Sequence, residues 1–362
     1  MRIAFDVSPL SHERTGVNNY IRGSLGGLAE VARPLGHEIV AFAPTSPAGK
    51  RVIPEALDGI DVELKLVMLP GAHAWRTAWS MLGYPPAERF VGKFDVLHFS
   101  DWMYPPQKRG VRATTIHDLV PFHHPQWTTK RTQSMHNRKY RNAALTCDVV
   151  FANSAFTADD FARALDFPRD RVLVAHPGIG ADFTADGEAA DLGGPYVLTV
   201  ATLEPRKNLA TLVDAFGLLR DTGLSLVLVG GTGWGEQPQL DKPGIVRLGR
   251  VSDHELARLY RGAAAVVYPS RFEGFGMPIT EAMASGAPVV ASAHESMDEA
   301  SGDAAVRAHP ESPQALAEAI REAVARHDEL RAKGLAHAQR FSWRTTGEVF
   351  LAGYLEAASA RR

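Results

Sequence analysis

Short apolar, β-branched runs alternate with helix-length segments along this chain in two separate series, and that rhythm limits the fold more than any other feature. The first series is Ile3–Val7, Glu38–Phe42, Val62–Leu69, Asp95–Phe99, Ala113–Ile116, Val149–Phe151 and Val172–Ala175. Strands that alternate with helices pair in parallel, because each connection crosses over the sheet, and such a sheet is covered on both faces. The rhythm then breaks. From His176 to Pro195 the segment HPGIGADFTADGEAADLGGP holds glycines, prolines and acids without apolar periodicity, as a linker or a domain edge does. A second series follows in Tyr196–Val200, Leu226–Val229, Ile245–Leu248, Ala265–Tyr268 and Val289–Ala291, with helices expected at Asn208–Leu219, Asp253–Tyr260 and Met277–Ser285. Ser312 to Ala360, rich in Ala, Leu, Glu and Arg, reads as two or three amphipathic helices. At about 100–200 residues per domain, 362 residues suffice for two α/β domains, each with its own core.

Charge and cysteine content remove several functions. With 39 basic and 41 acidic residues the net charge is −2, so nothing in the whole-molecule field calls for nucleic acid, and any anion site must be local. Cys147 is the one cysteine, which excludes disulfides and cysteine metal clusters and suits a reducing compartment. The first residues, MRIAFDVSPL, meet Asp6 after three apolar side chains and read as a first strand rather than a signal peptide. No apolar run approaches the roughly 20 residues of a membrane-spanning helix. A cytoplasmic protein is expected, with the inner membrane face as a peripheral docking place.

Parallel α/β sheets bind ligands at the carboxyl ends of their strands, so the loops there matter most. After the strand Ala265–Tyr268 comes a loop from Pro269 to Gly276, then a helix that Pro278 can open and Gly286 can close. That helix start offers unpaired N–H groups and partial positive charge, and Gly274 and Gly276 let a diphosphate approach the backbone. Glu273 lies in the loop and Glu281 within the helix, where a ribose diol could reach it. After the strand Tyr196–Val200, the segment Thr202-Leu-Glu-Pro-Arg-Lys-Asn-Leu puts Arg206 and Lys207 at a carboxyl end, suited to a diphosphate leaving group or, more plainly, to a solvated pair at a helix start. Thr115-Ile-His-Asp-Leu likewise places His117 and Asp118 after a strand; a structural histidine and a turn cap are the plain alternatives. Arg14-Thr-Gly-Val-Asn-Asn-Tyr puts Gly16 between the first strand and a long helix.

The two glutamates, Phe272 and Phe275 beside the glycines, and the run MPITEAMASGAPVV closely resemble the signature of glycosyltransferase family 4. The resemblance implies the GT-B architecture of two facing Rossmann-like domains: an acceptor-binding domain at 1–180, a nucleotide-sugar-binding domain at 181–342, and a final helix at 343–362 returning to the first domain. It implies transfer with retained anomeric configuration. Within it, Glu273 contacts the donor sugar, Glu281 holds the ribose, His117 lies near the reacting bond, Arg206 and Lys207 stabilise the leaving diphosphate, and Gly16 lies beside the donor phosphates. Phe272, Gly274, Phe275, Gly276, Met277 and Val251 complete the expected nucleotide-sugar contacts, with Asp118 and Trp102 toward the acceptor. Two positions depart from the common pattern: Ala201, where many members have an arginine, and Asn18, where many have a second glycine. TIHDLVPFHHP, TLEPRKNL and EGFGMPITEAMASG look most like bacterial mannosyltransferases of surface polysaccharide synthesis, which implies GDP-mannose as donor. UDP- and dTDP-sugars stay open, as do glycan, lipid-linked and small hydroxyl acceptors. No zinc-type spacing occurs and Asp159-Asp160 lacks the spaced pair of metal-dependent transferases, so neither metal nor cofactor is expected beyond the donor itself.

Two segments stand outside this scheme. Thr129 to Arg141, TKRTQSMHNRKYR, has five basic residues and no acidic one, which fits a solvated helix face, anionic lipid headgroups or an acidic acceptor. Ala74 to Phe90 mixes Trp75, Trp79, Met81, Leu82 and Tyr84 with charges; core packing is the default, an interfacial helix or acceptor pocket the alternative. Among rivals, a dinucleotide oxidoreductase needs a Gly-x-Gly-x-x-Gly turn that DVSPLSHERTG lacks. A sugar phosphorylase or epimerase could use the same architecture. An inactive homologue should have lost a charged site residue, yet Glu273, Glu281, Arg206 and Lys207 are all present.

Overall fold

The computed structural model describes residues 1–361 except 13, 70, 101 and 236–238. Its contacts divide the chain into two units, Met1–Gly178 with Ser342–Arg362, and Ile179–Phe341.

In the first unit, β1 (Arg2–Asp6), β2 (Glu38–Thr45), β3 (Glu63–Met68), β4 (Val96–Phe99), β5 (Val111–Ile116), β6 (Val149–Ala152) and β7 (Val172–Val174) form, among the described residues, a seven-stranded parallel sheet of order β3-β2-β1-β4-β5-β6-β7. Every residue of β4, β5 and β6 is buried, as a sheet covered on both faces requires. The covering helices are α1 (Gly16–Ala32), α2 (Pro47–Ala56), α3 (Ala72–Leu82), α4 (Glu88–Val91), α5 (Val120–His123), α6 (Lys130–Thr146) and α7 (Ala155–Leu165).

In the second unit, β8 (Tyr196–Val200), β9 (Ser225–Val229), β10 (Ile245–Gly249), β11 (Ala265–Tyr268), β12 (Val289–Ser292) and β13 (Ala305–Ala308) pair in parallel in the order β10-β9-β8-β11-β12-β13. Its helices are α8 (Leu209–Gly217), α9 (Asp253–Gly262), α10 (Met277–Ala284), α11 (Asp298–Ser301), α12 (Pro313–Ala325) and α13 (His327–Ala338). Strand β13 corrects the sequence reading, which stopped at β12. Its four residues Ala-Val-Arg-Ala contain a cation that would count against a buried strand, but the Arg307 guanidinium donates to the carbonyls of Ser292 and His294 and to Asp298 at 2.8–3.0 Å.

The last helix, α14 (Trp343–Ala360), packs on α1 inside the first unit, with Phe350 and Tyr354 in the core beside Phe5, Leu25 and Phe151. Glycines permit the crossing. A β-carbon on Gly27 would fall on the Trp343 carbonyl, and one on Gly347 on the Gly27 backbone, so neither position admits a side chain unless the helices move apart. The 74–90 segment divides. Trp79 is core, packed against Phe42 and Phe90, whereas Met81, Leu82 and Tyr84 are exposed, which corrects the core reading for that half. Gly83, at φ 68, ends α3 there.

In the first sheet the chain builds outward from β1 to β3, then returns to add β4 on the other side of β1; in the second the reversal falls between β8 and β11. Such switch points leave a crevice at the carboxyl ends of the two strands, where doubly wound sheets bind ligands.

Candidate active site

The second unit's switch point is flanked by the loops after β8 and β11. Asn208 ties them together from a left-handed conformation, φ 56, which asparagine tolerates better than most residues. Its Nδ2 donates to the carbonyls of Pro269 (3.2 Å) and Pro310 (2.6 Å), and its Oδ1 accepts from Thr211 Oγ1 at 2.7 Å. The Arg271 amide donates to the Arg206 carbonyl at 2.8 Å. These bonds hold Arg206, Lys207 and Glu273 in one place.

Glu273 accepts from both cations: Arg206 Nη1 reaches Oε2 and Lys207 Nζ reaches Oε1, each at 2.7 Å. Arg206 Nε also donates to Glu204 (3.0 Å), Lys207 Nζ to the Tyr268 hydroxyl (2.8 Å), and Ser296 Oγ accepts from the Glu273 amide (3.1 Å). Lys207 and Glu273 are buried. Burial alone would raise the Glu273 pKa, but Arg206 and Lys207 overcome it and hold the carboxyl at about 2. Burial and the neighbouring Arg206 guanidinium keep Lys207 below the ordinary lysine value, with Glu273 only partly offsetting them. Burial and the Glu273 charge push Tyr268 well up, so its hydroxyl stays protonated. Glu204, Tyr268 and Ser296 were not singled out from sequence; Glu204 lies inside the TLEPRKNL motif and Tyr268 ends the strand, and their positions were the only signal.

Beside this cluster α10 begins after Gly276, whose φ of 103 carries the chain into the helix, with Pro278 in the first turn. Phe272 and Phe275 are buried. Phe275 packs edge-on against Phe341, which commits its ring to the core and leaves backbone as its means of touching a ligand. Met277 and Val251 are half-buried against the same core. Glu281 is buried one helix turn further in, where its Oε2 accepts from the Tyr260 hydroxyl at 3.4 Å. Ala201 is fitted closely, since a β-carbon on Gly230 would strike its carbonyl.

The other sequence-derived residues lie in the first unit. His117 follows β5 and is half-buried, with the Tyr20 ring edge-on at 5.0 Å. Two successive α6 side chains anchor its segment: Lys139 Nζ donates to the Thr115 carbonyl (2.6 Å) and the Tyr140 hydroxyl to the Asp118 carbonyl (3.0 Å). Burial first, then the Lys139 and His136 charges, lower the His117 pKa to about 3, so its imidazole is neutral at ordinary pH. Asp118 Oδ1 accepts from the Val120 amide at 3.0 Å and caps the turn. Gly16 is the exposed first residue of α1, and a β-carbon there would meet nothing, so packing does not explain its glycine. Asn18 accepts from Thr15 Oγ1 (2.7 Å) and donates to the Pro9 carbonyl (3.1 Å), pinning the preceding loop to the helix, a task glycine cannot perform. Trp102 is buried, with Arg76 over its ring at 5.2 Å and His73 at 4.7 Å, so it does not present the open ring face that sugar stacking would use. Among the described residues no group of three or more His, Cys, Asp or Glu side chains could hold a metal ion.

Two doubly wound parallel units have the GT-B fold, and glycosyltransferase models match a segment of each, including the one that carries a carboxylate between two cations beside a glycine-led helix start, so the protein is a glycosyltransferase. Residues 15–183 match the model of Glycosyltransferase Family 4 and residues 194–326 that of Glycosyl transferases group 1, and the chain belongs to glycosyltransferase family 4. It is 29% identical to the O-antigen chain mannosyltransferase B of Escherichia coli, covering 95% of this chain and 96% of that one. It is 28% identical to the serotype-specific mannosyltransferase WbdA of Escherichia coli over 57% of this chain but only 28% of that longer protein. Anabaena Alr3699/HepE in complex with UDP and glucose shares the fold, with a TM-score of 0.73 over 98% of this chain and 99% of that one at 17% identity.

Proposed function

We propose that the protein moves mannose from GDP-mannose to a hydroxyl of a glycan acceptor, with retained anomeric configuration, in surface polysaccharide synthesis. The observation that carries this reading is the Arg206–Glu273–Lys207 cluster at the second switch point. The full-length likeness to a protein named as an O-antigen chain mannosyltransferase supports the sugar and the acceptor class.

In this reading Glu273 is the cations' partner until a donor arrives. The diphosphate then takes over part of the Arg206 and Lys207 bonding, because charge-assisted bonds to phosphate oxygens replace those to the carboxylate. Glu273 turns to the hydroxyls of the donor sugar as an ionised acceptor. As the bond between the anomeric carbon and the diphosphate oxygen breaks, negative charge grows on that oxygen. Arg206, Lys207 and the start of α10 stabilise it, which lowers the barrier. The acceptor hydroxyl forms the new carbon–oxygen bond from the same face and gives its proton to the departing diphosphate. Glu281 holds the ribose diol. His117, neutral, hydrogen-bonds a sugar hydroxyl, and neither it nor Glu273 forms a covalent bond to the sugar.

The test is incubation with GDP-mannose and an oligomannoside acceptor, with product anomers followed by NMR. An α-mannosyl product that keeps the donor's configuration supports the reading; an inverted product refutes retention. Turnover with UDP-glucose but not GDP-mannose would replace the donor. Donor consumed equally fast without acceptor would point to an epimerase or hydrolase instead.

A further inference from the structure

Two segments that the transfer reaction leaves unused meet on the surface of the first unit. Helix α6 runs for 17 residues without an aspartate or glutamate. Lys139, Tyr140 and Ala143 form its buried side, so Lys139 is withdrawn from the surface. Positions 131, 134, 138, 141 and 145 recur at intervals of three and four, which puts Arg131, Ser134, Arg138, Arg141 and Leu145 in one stripe on the opposite side. Among the described residues none of Arg131, Arg138 and Arg141 is paired with a carboxylate. Leu145 ends the stripe at 84% exposure.

The end of α3 adjoins this stripe, with Arg138 Nη1 3.7 Å from Met81 Sδ. There Met81, Leu82 and Tyr84 stand 58%, 77% and 69% exposed. Scattered apolar side chains on a surface need no explanation, but three within four residues, continued by a row of unneutralised arginines, do. A soluble polyanion would satisfy the arginines and gain nothing from Leu82 or Tyr84. An apolar protein groove would take the leucine and tyrosine and desolvate the arginines at a cost. The boundary between lipid headgroups and acyl chains accepts both: cations at the phosphates, apolar and tyrosine side chains just beneath.

We propose that the end of α3 and the arginine stripe of α6 form one docking surface for an anionic lipid bilayer, with Leu82 and Tyr84 entering the interface and Arg131, Arg138 and Arg141 binding headgroup phosphates. The surface lies wholly within the first unit and involves no residue assigned to transfer, so it stands independently of the donor and acceptor.

The test is flotation of the full chain with vesicles of phosphatidylcholine alone or containing about a quarter phosphatidylglycerol. The expected result is binding to the anionic vesicles and none to the neutral ones, weakening as salt rises. Each cation at such a surface contributes about fivefold, so Arg131→Gln/Arg138→Gln/Arg141→Gln should lower partitioning about 100-fold. Leu82→Ser/Tyr84→Ser should lower it at least about tenfold. Arg131, Arg141, Leu82 and Tyr84 are exposed and Arg138 is half-buried beside Met81, outside the core, so both variants should keep the parent's melting temperature and its activity on a water-soluble acceptor. Equal binding to both vesicle types overturns the proposal, as does no binding to either. Retention of an anionic polysaccharide without vesicle binding would assign the stripe to a soluble polyanion instead.

Discussion

Replacing Glu273 with glutamine keeps the shape of the site and removes the charge that Arg206 and Lys207 share. Both cations lose a 2.7 Å partner, and Lys207 is left buried beside Arg206 with the Tyr268 hydroxyl as its other bond. Breaking a buried ion pair from one side costs about 3–5 kcal/mol; Arg206 retains Glu204, which puts this case near the lower end, about 3 kcal/mol. For a unit the size of Ile179–Phe341 each kcal/mol moves Tm by about 2–4 °C, so a fall of about 6–12 °C is expected at neutral pH. The wild-type pH dependence has a definite sign. The Glu273 pKa is lowered from 4.5 to about 2, so its contribution is complete above pH 4.5 and is lost as pH falls toward 2. Glutamine cannot titrate, and the gap between variant and parent should close over that window. An added nucleoside diphosphate should stabilise the variant more than the parent, because it supplies the anion that Glu273 no longer provides and displaces no carboxylate at that position. Differential scanning calorimetry on both proteins, with and without GDP, reads all three effects. A variant Tm within about 1 °C of the parent would refute the claim that Glu273 is the cations' counter-ion.

Other outcomes follow from the same structure. Glu281→Ala should weaken nucleotide binding about 10- to 100-fold by isothermal calorimetry, the loss of a charged acceptor from a bound ribose, while Glu273→Ala chiefly lowers kcat. Unchanged kinetics in both would contradict the roles assigned to them. Gly27→Ala drives a methyl into the Trp343 carbonyl and should cost about 1–3 kcal/mol net of the helix-propensity gain, seen as a lower urea midpoint; an equal or higher midpoint would disprove the close crossing of α1 and α14. His117 titrates near 3, below its ordinary 6.5, so it destabilises the fold only as pH drops beneath 6.5 and leaves kcat/KM without a histidine limb between pH 5 and 8. A limb near pH 6.5 that disappears in His117→Gln would show the imidazole to be solvated and titrating.

Local chemistry was legible in the sequence and pairing over distance was not. TLEPRKNL and RFEGFGMPITEAMASG each lie on one strand–loop–helix connection, so spacing placed Arg206, Lys207, Glu273 and Glu281 at the strand ends and the helix, and the resemblance to glycosyltransferase family 4 supplied their expected roles. That Glu273 binds both cations joins residues 66 and 67 positions apart, and it depends on β8 and β11 being neighbours. The same reason hid Tyr268 and Ser296. The parallel strands announced themselves by apolar runs, whereas β13 is only four residues long and holds an arginine. Met81, Leu82 and Tyr84 look like core residues in a string of letters, yet they stand exposed around the end of α3. Asn18 departs from the common glycine because its amide bridges Pro9 and Thr15, a contact no local pattern reveals.

The most direct measurement is a calorimetric titration of the intact protein with GDP-mannose, repeated with Arg206→Ala/Lys207→Ala. Saturable binding by the parent, reduced at least about 100-fold in the double variant, is expected if the two cations at the β8–β11 switch point hold the donor diphosphate. Equal affinity in parent and variant would place the donor elsewhere, and no binding of GDP-mannose or any other nucleotide sugar at millimolar concentration would remove the site as a donor site.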